Sequence, residues 1–137
     1  MTALYDRFFM FDGRLARLPF FLRSIQVGII AVILFFATLP LFMNGSPLLW
    51  WAGLAGVILS VVVLAIATLS LTVRRLHDLN LSGYHAIWVV AAEVIAQCLS
   101  YGSDKAMLFS LPLVAIGLWT TFWPGKRGAN RFGAVPE

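Results

Sequence analysis

Long apolar segments dominate the chain and are separated by short polar ones. No charged residue occurs from Ser24 to Val73, and this run is well over the ~20 residues that a helix needs to cross a bilayer. The sequence PLFMNGSP, residues 40–47, interrupts the run with residues that favour turns. The pattern therefore predicts a helical hairpin whose membrane spans lie near residues 20–41 and 50–73.

Two shorter apolar segments follow, near residues 84–101 and 107–123. Pro112 lies inside the second of them, and proline is tolerated in a membrane helix when neighbouring groups satisfy the carbonyl that it leaves unbonded. We therefore predict an all-α integral membrane protein in which a single domain, residues 1–137, contains four transmembrane helices.

The composition supports a membrane location. Hydrophobic residues make up 61% of the chain and charged residues 12%, whereas about a quarter of the residues in a soluble domain are charged. So few charges cannot cover the surface of a water-soluble fold, and so many apolar residues exclude disorder. The net charge is +4, and the basic residues lie outside the apolar runs, which favours membrane orientation over nucleic-acid binding.

Basic residues are distributed unevenly about the four spans, and Lys105 is the one that falls on the sparse side. Cytoplasmic segments carry the excess of lysine and arginine. We therefore predict that both tails, residues 1–19 and 124–137, are cytoplasmic, with the first span a retained anchor and not a cleaved signal peptide. The residues on the basic side are Arg7, Arg14, Arg17, Arg23, Arg74, Arg75, Lys126, Arg127 and Arg131.

The N-terminal tail has an amphipathic pattern. Leu4, Tyr5, Phe8 and Phe11 fall on one face if the tail is helical. An apolar face of this kind beside basic residues is typical of a helix that lies flat on a membrane surface. We therefore expect an interfacial amphipathic helix before the first span.

Several polar side chains are expected to converge on the cytoplasmic face. The segment RRLHD supplies two arginines, a histidine and an aspartate, and Arg14 and Arg17 share a face if their segment is helical. Arginine offers carboxylates and phosphates a planar fork that lysine lacks. The candidate site comprises Arg14, Arg17, Arg74, Arg75, His77, Asp78, Asn130 and Arg131.

Two binding roles are open for this candidate site. Asp78 is placed to pair with an arginine and so to hold the tails against the loop, the candidate partners being Arg14, Arg17, Arg74 and Arg131. Alternatively, the basic residues bind an anionic lipid headgroup, another anion or a protein partner. The first role is structural, and the second makes the protein a binding component of the membrane.

A catalytic role is less well supported. His77 and His85 are the two histidines, and a metal-dependent phosphohydrolase needs more ligands than they provide. No Ser-His-acid set or phosphate-binding glycine loop stands out. We therefore expect a non-enzymatic protein without cofactor or metal, and regard a lipid-phosphate enzyme as the weakest alternative.

Polar residues also occur inside the third span. Glu93 and Gln97 are four residues apart and share one helical face. An ionisable group in a membrane helix either faces the bundle in a hydrogen bond or marks an ion or proton site. The second case would make the protein a small oligomeric transporter or channel, with other copies or another membrane protein as partners.

Small residues on the second span point to helix contacts. Ala52, Gly56 and Ser60 recur every four residues, a spacing that lets membrane helices approach closely. We expect this stripe to form a helix contact, either within the chain or between copies.

Three separated motifs resemble a known family. FDGRLARLPFF, RRLHDLNLSGY and GANRFGAVPE occur in this order around the four apolar segments. Together they resemble the bacterial inner-membrane family called domain of unknown function 805, the YhaH-like proteins, over nearly the whole chain. Tyr84 stands where that family usually has tryptophan, and Asn80 where it often has glycine. The resemblance implies a location and an architecture but no mechanism.

Overall fold

The computed structural model describes residues 2–100 and 106–136, and the regular structure of these residues is helical. Within them the exception is one isolated bridge between Asn130 and Gly133. The all-helical prediction is therefore confirmed for the described part of the chain. The helices are α1 (Thr2–Phe8), α2 (Arg17–Met43), α3 (Pro47–Asp78), α4 (Tyr84–Ser100) and α5 (Ala106–Phe122).

The two long helices extend beyond the apolar spans from which they were predicted. α2 begins at Arg17, with Pro19 in its first turn, where the missing N–H of proline has no partner to lose. α3 continues through the RRLHD segment to Asp78, because arginine and leucine are good helix formers. With 27 and 32 residues, the helices measure about 40 and 48 Å along their axes.

The turn between α2 and α3 follows from its sequence. Gly45 has a φ of 74°, a left-handed conformation that glycine adopts without steric cost at helix ends. The carbonyl of Ser46 accepts a 3.0 Å hydrogen bond from the N–H of Trp50, and Pro47 begins α3, an arrangement that helix starts favour. Pro40, counted above among the turn residues, lies inside α2 instead, as membrane helices tolerate.

The N-terminal segment differs from the prediction. α1 ends at Phe8, and residues 10–16 are not helical. Within this stretch Gly13 has a φ of 83°, a conformation that a right-handed helix does not accommodate. Phe11 therefore lies outside α1. Arg14 precedes α2 and does not share a helical face with Arg17, so both of these expectations are wrong.

The exposed surface of the helices is apolar. Across the described residues, α2 and α3 are long and apolar enough to cross a membrane, judged by length and composition. A core helix of a soluble protein would be mostly buried, yet only 6% and 17% of their most apolar stretches are buried. α4 and α5, of 17 residues each, stand at the lower end of the ~17–25 residues that span a bilayer. Large apolar side chains are exposed on all four helices, which indicates a membrane protein.

The chain forms two compact units. The first comprises Met1–Met10 and Leu22–Leu71, and the second comprises Phe11–Phe21 and Thr72–Glu137. In the second unit α4 and α5 pack against each other, and Leu15, Leu76 and Ala86 are buried. The side chains of Glu93 and Gln97, and the residues 101–105 that include Lys105, lie outside the described part of the structure.

In the first unit, α2 and α3 contact each other at small residues. A Cβ added to Gly53 would lie 3.1 Å from side-chain atoms of α2, and one added to Gly56 would lie 3.6 Å from Thr38. Glycine at these positions therefore lets the two backbones approach closely. Ala52 was predicted to belong to this contact stripe but is exposed, because Gly53 and not Ala52 lies on the face of α3 that contacts α2.

Candidate functional site

The candidate site is built on the C-terminal end of α3. Asn80 has a φ of 63°; its N–H donates to the carbonyl of His77 at 3.0 Å, and the N–H of Leu81 donates to the carbonyl of Leu76 at 2.8 Å. These two bonds form a Schellman motif, which ends a helix with a left-handed residue. Because glycine and asparagine are the residues that adopt this conformation most readily, asparagine can stand here in place of glycine.

Asp78, the last residue of α3, binds two guanidinium groups. Arg14 donates from Nε and Nη2 to Asp78 Oδ1 at 3.1 and 2.9 Å, and Arg75 donates from Nη1 to Oδ2. The side chains of Arg14, Arg75 and Asp78 are 1%, 0% and 4% exposed. Charged groups are rarely this buried unless they are paired. We call these three residues the Asp78 cluster.

Arg75 connects α3 to the end of α5. Its Nε donates to the carbonyl of Thr120 at 2.8 Å, and its Nη2 donates to the carbonyl of Trp123. The last carbonyls of a helix have no partner within the helix and carry partial negative charge. The guanidinium of Arg75 therefore satisfies carbonyls at the end of α5 while it pairs with Asp78.

Arg14 connects the N-terminal segment to the C-terminal one. Its Nη1 donates to the carbonyl of Gly128 at 2.7 Å, and its Nη2 donates to the carbonyl of Lys126 at 2.7 Å. All three nitrogens of Arg14 therefore donate to acceptors of the protein, as do all three nitrogens of Arg75. A guanidinium that is almost fully buried and whose three nitrogens all donate within the protein is poorly placed to bind a ligand.

Both tails also satisfy main-chain carbonyls at the end of α3. The N–H of Leu15 donates to the carbonyl of Arg74 at 3.0 Å, and the N–H of Lys126 donates to the carbonyl of Asp78 at 2.9 Å. Asn130 Nδ2 donates to the carbonyl of His77 at 2.8 Å. Residues distant in sequence thus add hydrogen bonds to the last turn of α3: the carbonyl of Asp78 accepts from Lys126, and the carbonyl of His77 accepts from Asn130 as well as from the N–H of Asn80.

The motif GANRFG forms a tight turn that positions an aromatic ring. Asn130 and Gly133 exchange two main-chain hydrogen bonds of 3.0 Å, and the N–H of Phe132 donates to Asn130 Oδ1 at 2.9 Å. The Phe132 ring stacks on the His77 ring, with centroids 3.9 Å apart and an interplanar angle of 6°. The His77 Nδ1 lies 3.1 Å from the carbonyl of Gly13, so it must carry the proton for this contact to be a hydrogen bond.

A glycine makes close approach to the Asp78 carboxylate possible. A Cβ added to Gly125 would lie 2.0 Å from Asp78 Oδ2. No side chain larger than hydrogen fits there without moving the carboxylate. Gly125 therefore belongs to the site although it contributes no functional group.

The candidate residues do not all converge on one point. Arg14, Arg75, His77, Asp78 and Asn130 lie together at the end of α3, as the hydrogen bonds above describe. Arg17 is exposed, and Arg131 is also exposed, with its guanidinium carbon 4.7 Å from the centroid of the Phe132 ring. Arg74 is buried, with an exposed fraction of 6%, and its carbonyl accepts a hydrogen bond from the N–H of Leu15 in the N-terminal segment.

Two contributions were missed from the sequence. Arg75 was not counted among the partners of Asp78, although its spacing of three residues on a helix is a recognised signal for such a pair. Gly125 was not singled out at all, since its role depends on a contact with a residue far away in the chain. A glycine three residues after the end of α5 gives only a weak signal of its own.

The electrostatics of the cluster follow from its burial. Burial lowers the pKa of the Arg75 guanidinium from its ordinary value, the pairing with Asp78 opposes this effect, and the charge of Arg17 adds to it. Two guanidinium charges share one carboxylate, so the cluster keeps a surplus of positive charge. Among the described residues, no group of three or more histidine, cysteine or acidic side chains is arranged to hold a metal ion.

These features define a class of protein: an all-helical membrane protein whose polar helix ends are connected by a buried cluster of ionic groups. The chain belongs to the family described as "Protein of unknown function (DUF805)", whose family model matches residues 8–134. The resemblance drawn from the three motifs is therefore confirmed. Neither the curated proteins nor the solved structures contain a match to the chain.

Proposed function

We propose that the protein is a non-enzymatic component of the bacterial inner membrane that binds anionic phospholipids on its cytoplasmic face. In this proposal the chain crosses the membrane four times, with both tails in the cytoplasm. The apolar surfaces of α2 and α3 and the unequal distribution of basic residues support the arrangement. The 17 residues of α4 and of α5 are near the minimum length for a span.

The observation that carries the proposal is the division of the basic side chains into two groups. Arg14 and Arg75 are buried, and each of their side-chain nitrogens donates to an acceptor of the protein. Among the described residues of the same compact unit, the exposed lysine and arginine side chains are those of Arg17, Lys126, Arg127 and Arg131. Basic residues next to a membrane span attract anionic lipids with roughly 1 kcal/mol each.

The Asp78 cluster argues for binding over catalysis. The Asp78 carboxylate accepts hydrogen bonds from two guanidinium groups, so both of its oxygens are engaged within the protein. Its role is better explained as holding the tails in place. The exposed basic residues are then presented at a fixed position beside the helices.

The proposal is tested by native mass spectrometry of the full-length protein in mild detergent with equal amounts of phosphatidylglycerol and phosphatidylethanolamine. The wild type is expected to retain phosphatidylglycerol preferentially, and salt is expected to weaken the preference. Replacing the four exposed basic residues with glutamine should remove it, whereas replacing the three arginines with lysine should preserve most of it. Equal retention of the two lipids by the wild type at low salt would contradict the proposal.

A further inference from the structure

An apolar groove of about 190 Å³ lies between the first turn of α2 and the last turn of α5. Its lining residues are Arg17, Leu18, Phe21, Thr121 and Phe122. The rings of Phe21 and Phe122 stand 6.3 Å apart, and both side chains are more than 40% exposed. The groove is therefore an open apolar surface with a single charged group at its edge.

Arg17 differs from the arginines of the Asp78 cluster. It is exposed, and among the described residues its side chain has no hydrogen-bond or ion-pair partner. Asp78, for which Arg17 was a candidate partner from the sequence, is already bound by Arg14 and Arg75. The positive charge at the groove is therefore not compensated by a described acidic residue.

The polar group opposite Arg17 does not compete for an anion. The Thr121 hydroxyl donates to the carbonyl of Gly117 at 2.7 Å within its own helix. The rest of the lining consists of leucine and phenylalanine side chains. An occupant must therefore combine a negative group with an apolar chain, and the groove offers few hydrogen bonds to a peptide.

The position of the groove along α2 fits such an occupant. Arg17 is the first residue of α2 and Phe21 follows four residues later, a displacement of about 6 Å along the helix axis. Arg17 precedes the predicted span at residues 20–41, so its guanidinium would lie at the level of the lipid headgroups and the phenylalanines at the level of the acyl chains.

We propose that this groove is a binding site for one anionic phospholipid, whose phosphate pairs with Arg17 and whose acyl chain lies against Leu18, Phe21 and Phe122. The inference rests on the proposed function, since it gives the general preference for anionic lipids a specific site. A guanidinium binds phosphate oxygens through two parallel hydrogen bonds, and burial of the acyl chain adds an apolar contribution that a free phosphate lacks.

The test compares two variants that each remove one exposed positive charge. Arg17→Gln is expected to lower retention of phosphatidylglycerol about fivefold in native mass spectra of the full-length protein. Arg127→Gln, whose residue is exposed and does not line the groove, should lower it clearly less than Arg17→Gln does, because it removes one exposed charge but no contact in the groove. Arg17→Lys should recover part of the loss, because it restores the charge without the fork.

A second measurement needs no variant. Phosphatidylglycerol with a photoactivatable group in one acyl chain should label peptides that contain Phe21 and Phe122 in the wild type. Glycerol phosphate, which has the headgroup phosphate without acyl chains, should not displace the lipid at equal concentration. Labelling confined to other parts of the helices, or displacement by glycerol phosphate, would overturn the assignment.

The outcomes separate the inference from the proposed function. Equal losses in Arg17→Gln and Arg127→Gln, with a wild type that still prefers phosphatidylglycerol, would refute the groove and leave the general proposal intact. A wild type without any preference would refute both. Circular dichroism and size-exclusion chromatography of each variant establish that it is folded before its lipids are compared.

Discussion

Replacing Asp78 with asparagine tests whether the Asp78 cluster stabilises the fold. The substitution keeps the size of the side chain but removes its charge and one of its two acceptor oxygens. In the wild type, the Asp78 carboxylate accepts two hydrogen bonds from Arg14 at Oδ1 and one from Arg75 at Oδ2. In Asp78→Asn, the amide nitrogen must point a donor at one of these guanidinium groups.

The expected cost follows from the burial of the partners. The side chains of Arg14 and Arg75 are 1% and 0% exposed, so water cannot replace the lost carboxylate. Removing one partner of a buried ion pair costs about 3–5 kcal/mol. Hydrogen bonds from Arg14 and Arg75 to main-chain carbonyls remain in the variant. We therefore expect the free energy of unfolding to fall by about 3 kcal/mol, the lower end of this range.

The assay is unfolding of the purified protein in mixed micelles, followed by circular dichroism as the denaturing detergent is increased. Asp12→Asn is the matched control, because it makes the same chemical change at an exposed aspartate; its free energy of unfolding should stay within about 0.5 kcal/mol of the wild type. If Asp78→Asn is no less stable than Asp12→Asn, the cluster does not stabilise the fold and the reasoning is refuted.

Two further predictions concern the neighbourhood of the cluster and the topology. Gly125→Ala should destabilise the protein by about 1–3 kcal/mol in the same unfolding assay, because the new Cβ would lie 2.0 Å from the carboxylate of Asp78. Gly117→Ala is the control and should not be destabilised, because its added methyl group has no neighbouring atom within 4 Å. A reporter fused after Gly45 should report the periplasm and one fused at the C-terminus the cytoplasm; detection of both in one compartment would disprove the proposed four spans.

The helices were predictable because their causes are local. Apolar runs of sufficient length, with Gly45, Ser46 and Pro47 between two of them, indicate the hairpin without knowledge of the tertiary structure. The exact ends were less predictable, since helix formers such as arginine extend α3 beyond its apolar part. The tail before α2 was predicted wrongly because the amphipathic pattern does not show where a helix stops: α1 ends at Phe8, and the left-handed Gly13 separates this segment from α2.

The site was predictable as a group of segments but not as a set of contacts. Three polar motifs at one membrane surface indicate that the tails and the loop lie near one another. Arg14 and Asp78 are 64 residues apart in the sequence, and nothing local distinguishes Arg14 from Arg17 as the partner. The difference arises from the backbone, since Gly13 turns the segment so that Arg14 precedes α2 while Arg17 begins it.

The geometry of the cluster gives a reason for arginine at two positions. Arg75 must reach Asp78 and the carbonyls of Thr120 and Trp123 from separate nitrogens. A lysine ammonium presents its three donors from one nitrogen atom. It cannot reach three acceptors that are spaced to fit the three separate nitrogens of a guanidinium. The same argument holds for Arg14, which spans Asp78 and two carbonyls of the C-terminal segment.

The need to reach several separate acceptors does not explain why residue 17 is an arginine. Arg17 therefore requires a different explanation. Orientation in the membrane requires only a positive charge at its position, which lysine would supply equally well. Phosphate recognition is a role in which a guanidinium and an ammonium differ. Arg17→Lys therefore separates the two roles: it should leave the topology unchanged and weaken retention of the anionic lipid if Arg17 binds the phosphate through its fork.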